Sequence, residues 1–259
     1  MADSTLATPG GPARRGLSDP DYRARLRYLV FGRALPAVLF AFMGWLQVNR
    51  VLTAAPKAHD AAAVLHLVPQ SLYTLFCAIP VVLYLTRPMP THRDGTLPAR
   101  AAALMGTLMQ LVVGAFLPTG PLFYQPPAWI DVLIVPLGIA ATSFAIWGLL
   151  HLRRCLSIIP EARSLVTSGP YRLVRHPLYL AEIGSAVAVV LTSPALVPVV
   201  AFCVFVTMQL IRTGFEERLL TVAFPVEYPE FRRRTPRLIP GLRPGPARAR
   251  SGVEAAATA

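Results

Sequence analysis

Apolar residues in this chain come in long runs, separated by polar, proline-rich or arginine-rich breaks. The runs fall at about 28–48, 61–85, 101–118, 129–151, 178–192 and 194–215. A helix needs about 20 mostly apolar residues to cross a bilayer. A lipid-exposed segment must also satisfy its backbone hydrogen bonds internally, which helix does. The pattern therefore predicts an all-α fold, a polytopic transmembrane helical bundle of about six spans. The third and fifth runs are short. The fifth and sixth are joined by only "TSP", which predicts a tight helical hairpin. Arg33 and Pro36 sit near the start of the first run; the expected arrangement is that Arg33 snorkels toward the interface.

Composition agrees with a membrane protein. The chain is 54% hydrophobic and 15% charged, against about 25% charged in soluble domains. The net charge of +12 would suggest nucleic acid in a soluble protein. Here the cations lie between apolar runs, and no aromatic-interleaved basic stripe or zinc spacing supports nucleic-acid binding. Cys77, Cys155 and Cys203 are widely spaced in or beside apolar segments, so neither a disulfide framework nor a metal site is implied.

Arginine placement predicts the topology. Arg23, Arg25 and Arg27 precede the first run; Arg87, Arg93 and Arg100 follow the second; Arg153, Arg154, Arg163, Arg172 and Arg175 follow the fourth. The alternate loops are poorer in cations. The positive-inside rule then places both termini in the cytoplasm. Four regions result: a flexible cytoplasmic arm at 1–27, helices 1 to 4 at 28–150, a region at 151–240 that holds the last two apolar runs with their polar flanks, and a disordered tail at 241–259. A cleaved signal peptide fits poorly, since Arg14 and Arg15 lie far upstream of a run that Arg33 interrupts.

The candidate chemistry lies at the threshold of the fifth run, "GPYRLVRHPLYLAE" at 169–182. Gly169-Pro170 signals a turn. Pro177 suits a first helical position, so a helix should start there, with His176 just before it. Arg172, Arg175 and His176 beside that start make an anion site. Glu182 lies one turn into apolar sequence, where an acid needs a partner or a wet cavity. On the sixth run Gln209, Arg212 and Glu216 form one polar stripe, with Thr213 and Glu217 beside it. A hairpin would bring the two polar faces together near the cytosolic side. The residues alone point to a membrane site for a zwitterionic or anionic ligand.

The string "GPYRLVRHPLYL", followed by "EERLL" with Phe224, Tyr228 and Phe231, then "RTPRLIPG", resembles the isoprenylcysteine carboxyl methyltransferase family. Phospholipid methyltransferases and some bacterial thiol methyltransferases are similar in the same region, about residues 150–242. The resemblance implies a bacterial-type integral membrane enzyme with a cytosolic active site and S-adenosyl-L-methionine as cofactor. It implies cofactor binding by Tyr171, Arg175, His176, Pro177, Tyr179, Glu216 and Glu217. It implies catalytic roles for Arg212, Glu216 and Glu182. The implied acceptor is a lipidic, membrane-soluble carboxylate such as an isoprenylcysteine, within membrane lipids. An amine or a small thiol is the alternative. Ala181 stands where many relatives have Gly, and Phe231 where they have Tyr. Outside the enzyme class, a membrane scaffold or a small transporter remains open, though a transporter should place its polar residues at the midplane of broken helices. Oligomeric state is left open.

Overall fold

A computed structural model describes residues 20–93, 96–115, 123–127, 129–192 and 194–242. Most of the expected arm and nearly all of the expected tail lie outside the described residues, as does Ser193 of the "TSP" turn.

Helix α1 (Pro20–Arg27) continues through a π-helical stretch, Tyr28–Ala34, into α2 (Leu35–Ala54). The wide turn has a local cause. The Tyr28 ring lies on the backbone of Gly32, where an added Cβ would come within 2.7 Å of it. The Tyr28 hydroxyl then donates to the Pro88 carbonyl. Arg33 departs from the snorkelling expected of it. Its guanidinium turns inward, donates to the Arg87 carbonyl, and sits 5.7 Å from the Tyr28 ring centroid. A carbonyl just past a helix end and an aromatic face compete well with the interface for that cation.

Helix α3 (Ala61–Thr86) starts at Asp60, whose carboxylate accepts the Ala63 N–H at 2.7 Å, an ordinary N-cap. It stops before Arg87, which the following Pro88 biases to an extended backbone. Strand β1 (His92–Arg93), α4 (Leu97–Ala115) and α5 (Trp129–Leu152) follow. Strand β2 (Glu161–Ala162) pairs antiparallel with β1, His92 opposite Ala162 and Arg93 opposite Glu161. Helices α6 (Pro177–Thr192), α7 (Leu196–Ala223) and α8 (Glu227–Arg234) complete the described chain. Helix α6 begins at Pro177, as the sequence predicts.

Among the described residues four helical segments are long and apolar enough to cross a membrane: Tyr22–Lys57, Ala63–Thr86, Trp129–Cys155 and Leu196–Ala223. Helix α6, at 16 residues, is shorter than a usual crossing. Large apolar side chains such as Trp45, Val132 and Leu196 are exposed on these helices, which suits lipid-facing surface.

Helices α2, α3, α5 and α6 pack in that order, and α7 lies mainly along α4. Contact between α6 and α7 is less extensive than a tight hairpin would give. The α6 helix spends its length on α5, where Gly148 admits Leu178 so closely that an added Cβ would meet its Cδ2 at 3.1 Å. One apolar core, including Phe76, Cys77, Tyr84 and Leu149, joins α2, α3 and α5. A second, around Ala186, Ala201 and Phe205, joins α6 and α7. Small residues at such contacts let helix backbones approach in a bilayer, where the hydrophobic effect does not drive helix association. Gly148→Leu should therefore force α5 and α6 apart. The expected cost is about 1–3 kcal/mol, read as a lowered thermal midpoint of the purified protein in detergent; an unchanged midpoint would contradict this contact.

Candidate functional site

The turn before α6 is built on Gly169, whose φ of +60° lies where only glycine is free of strain. Its missing side chain is used: a Cβ there would sit 2.3 Å from the His151 ring. His151 is fixed from its own helix through Nδ1, 3.0 Å from the Trp147 carbonyl. The chain then makes one 3₁₀ turn, Gly169–Arg172, and buries Tyr171 and Val174. Burial pushes the Tyr171 phenol above its usual range, with the Glu216 carboxylate adding to the shift, so the group stays neutral.

The next two residues are held from far along the chain. The Arg175 N–H donates to the Pro236 carbonyl at 2.8 Å, and the His176 N–H to the Arg237 carbonyl at 3.2 Å. The "RTPRLIPG" segment thus lies against the threshold of α6. Side chains close the same joint. Glu217 on α7 places one oxygen 3.1 Å from Arg175 Nη1, 3.1 Å from His176 Nε2 and 3.4 Å from Arg237 Nε. Glu216, the next residue, serves a different set. It accepts from the Tyr179 hydroxyl and lies 3.7 Å from His176 Nδ1. The His176 and Tyr179 rings stack with centroids 5.6 Å apart.

One turn back on α7, Arg212 is buried. Its guanidinium carbon is 4.9 Å from the Tyr179 ring centroid. Nη1 donates to Gln209 Oε1 at 2.8 Å and Nη2 to the Ile158 carbonyl at 3.1 Å. Gln209 in turn donates to Glu182. Gly106 on α4 leaves room for this pair; a Cβ there would lie 3.1 Å from Arg212 Cδ and 3.2 Å from Gln209 Oε1. Arg212 takes part in none of the ion pairs among the described residues.

These side chains surround a cleft with about 1150 Å³ of empty space, its open mouth included. Tyr171, Arg175, His176, Pro177, Tyr179, Glu182, Arg212 and Glu216 all line it. Glu217 is not among the lining residues; its carboxylate is occupied by Arg175, His176 and Arg237. Facing wall residues come from the strap Leu156–Glu161 and from Tyr228 and Phe231 of α8. Arg175 Nε, Arg212 Nε and the Tyr228 hydroxyl are buried without hydrogen-bond partners. Buried polar atoms are rarely left so, and these surround the cleft.

The strap and Arg237 are site parts that the sequence reading did not single out. Arg237 looked like one more tail cation. The strap had a signal: Glu161 stands among "LSIIPEARSLV", an acid in apolar surroundings, yet its side chain is 1% exposed.

Fold and site together define a helical membrane protein with a polar cleft built on α6, α7 and the segments that flank them. Residues 129–226, which include the α6 threshold, match the phospholipid methyltransferase family, in keeping with the resemblance that the threshold carries. The cobalt-zinc-cadmium resistance protein CzcN of Cupriavidus metallidurans is 38% identical over 119 residues, 44% of this chain and 52% of that protein. The nickel-cobalt-cadmium resistance protein NccN of Alcaligenes xylosoxydans xylosoxydans is 31% identical over 117 residues, 44% of this chain and 53% of that protein. The matches thus span about half the length of these curated relatives.

Gly169→Ala should destabilise the turn twice over, through left-handed strain of about 1–2 kcal/mol and through overlap with His151. Adding His151→Ala should recover only the overlap. Thermal unfolding of both variants checks this; full recovery in the double variant would contradict the backbone contribution.

Proposed function

We propose that this protein is an S-adenosyl-L-methionine-dependent integral membrane methyltransferase. In this reading it methylates the carboxylate of a lipidic, isoprenylcysteine-like acceptor at the cytosolic face. The observation that carries the proposal is Arg212. It is a buried guanidinium that lines the cleft, lacks an ion-pair partner among the described residues, and keeps Nε unpaired. Glu182 and Glu216 are near enough to stabilise its charge but neither bonds it directly, so the donor left free at Nε suits an anionic acceptor.

The cleft's donor set fits the cofactor. Arg175 and the Tyr228 hydroxyl offer unpaired donors to a carboxylate, the Glu216 carboxylate faces cationic or hydroxyl groups, and Tyr171 and Leu219 offer apolar wall. S-adenosyl-L-methionine supplies an electrophilic methyl on a sulfonium sulfur. Glu217 acts behind the cleft, holding Arg175 and His176 in place. Arg212 orients the acceptor's carboxylate, which needs no base because it is already ionised. The strap and α8 exclude water from the reacting atoms, and alignment in a dry site accounts for much of such a rate. Cation-rich loops on the cleft's side of the bundle support a cytosolic site.

The family matched by residues 129–226 favours a second reading, methylation of a phospholipid amine. An amine acceptor must lose a proton, and Glu182, which lines the cleft, would take it. The two readings separate on the acceptor. Labelled methyl groups should pass from the cofactor to a farnesylated cysteine acid in nanodiscs, and Arg212→Gln should lower kcat/KM on the order of 10²–10³-fold. Methylation of phosphatidylethanolamine with the acid untouched would overturn the carboxylate reading in favour of the second.

A further inference from the structure

A second, smaller groove lies beside the cleft. Phe31, Leu35, Leu39 and Leu104 line it together with Arg87 and Arg93. The strap residues Ser157, Ile158, Ile159 and Glu161 line both spaces, so the groove opens on the same side of the bundle as the cleft. Phe31, Leu35 and Leu104 are 62, 56 and 55% exposed, which leaves the groove open to surrounding hydrocarbon.

The polar part is a buried charge cluster with too many cations. Glu161 lies 3.4 Å from Arg87 Nη1, 3.2 Å from Arg93 Nε and 2.7 Å from Arg163 Nη2. Ser157 also donates to it at 2.9 Å. Arg33 adds a fourth guanidinium through the Arg87 carbonyl. Among the described residues one carboxylate thus pairs with three guanidiniums, and a fourth lies beside them. The aromatic faces of Tyr84 and Tyr28, 4.4 and 5.7 Å from the Arg87 guanidinium, offset part of that excess. Arg33 Nε, Arg87 Nε and Arg163 Nη1 remain buried without partners, although the Arg87 side chain is 2% exposed and that of Arg163 5%. Arg93, at 33%, remains within reach of an incoming group.

We propose that this groove binds an anionic phospholipid of the same leaflet. Its phosphate sits on Arg93, with the buried charge of Arg87 behind it, and its hydrocarbon chain lies along Phe31, Leu35 and Leu104. Basic pockets between membrane helices hold anionic headgroups in this way. The site is separate from the methyl-transfer cleft, and the inference does not depend on the proposed reaction. Occupancy would brace the strap, whose Ile158 carbonyl accepts from Arg212.

The test is native mass spectrometry of the full-length protein released from nanodiscs of phosphatidylcholine doped with phosphatidylglycerol. The wild type should retain phosphatidylglycerol preferentially. Arg93→Gln should lower that retention about fivefold, and Leu104→Ser should lower it through the chain. Arg233→Gln, an exposed cation on α8, should leave it unchanged, and S-adenosylhomocysteine binding should persist in all three variants. Equal retention of the two lipids, or an equal loss in Arg233→Gln, would overturn the proposal. Displacement of phosphatidylglycerol by inorganic phosphate at equal concentration would also overturn it, because the apolar groove would then contribute nothing.

Discussion

One buried carboxylate organises the C-terminal half of this protein. Glu217 stands on α7, yet its partners come from the α6 threshold and from the segment after α8. Three separate pieces of chain meet at a single oxygen, and the backbone pairing of 175–176 with 236–237 runs beside it. Removing one member of such a buried set leaves uncompensated charge, which costs about 3–5 kcal/mol. The cleft exists because these pieces are held together.

The adjacent glutamates divide the work. Consecutive helical residues point about 100° apart, so Glu216 faces the cleft while Glu217 faces the joint behind it. His176 lies between them, one ring nitrogen toward each. Tyr179 then carries the arrangement onward to Arg212 through its ring face. The family match over 129–226 covers α5 to α7 but stops short of Arg237. Glu217's third partner therefore lies beyond the matched region.

Much of this was legible in the amino-acid order, for identifiable reasons. Long apolar runs mark membrane helices because the bilayer sets a length. Pro177 marked the start of α6 because proline restricts both itself and the residue before it. The polar stripe of α7 was visible from helical spacing, and eight of the nine proposed site residues line one cleft. What was hidden depends on contacts distant in sequence. Nothing local announces that Pro236 and Arg237 pair with Arg175 and His176. The inward turn of Arg33 depends on a carbonyl 54 residues away. The hairpin expectation assumed that a short connection means close packing; α6 instead spends its surface on α5, and α7 on α4. The strap left one trace, Glu161 in a largely apolar stretch, but its partners Arg87 and Arg93 lie far upstream in the chain.

The most direct measurement is calorimetric titration of the purified wild-type protein with S-adenosylhomocysteine, beside His176→Ala and Glu216→Ala. A cofactor cleft at the α6 threshold predicts saturable one-site binding by the wild type and none by either variant. Absence of binding by folded wild-type protein, or undiminished binding by both variants, would contradict it.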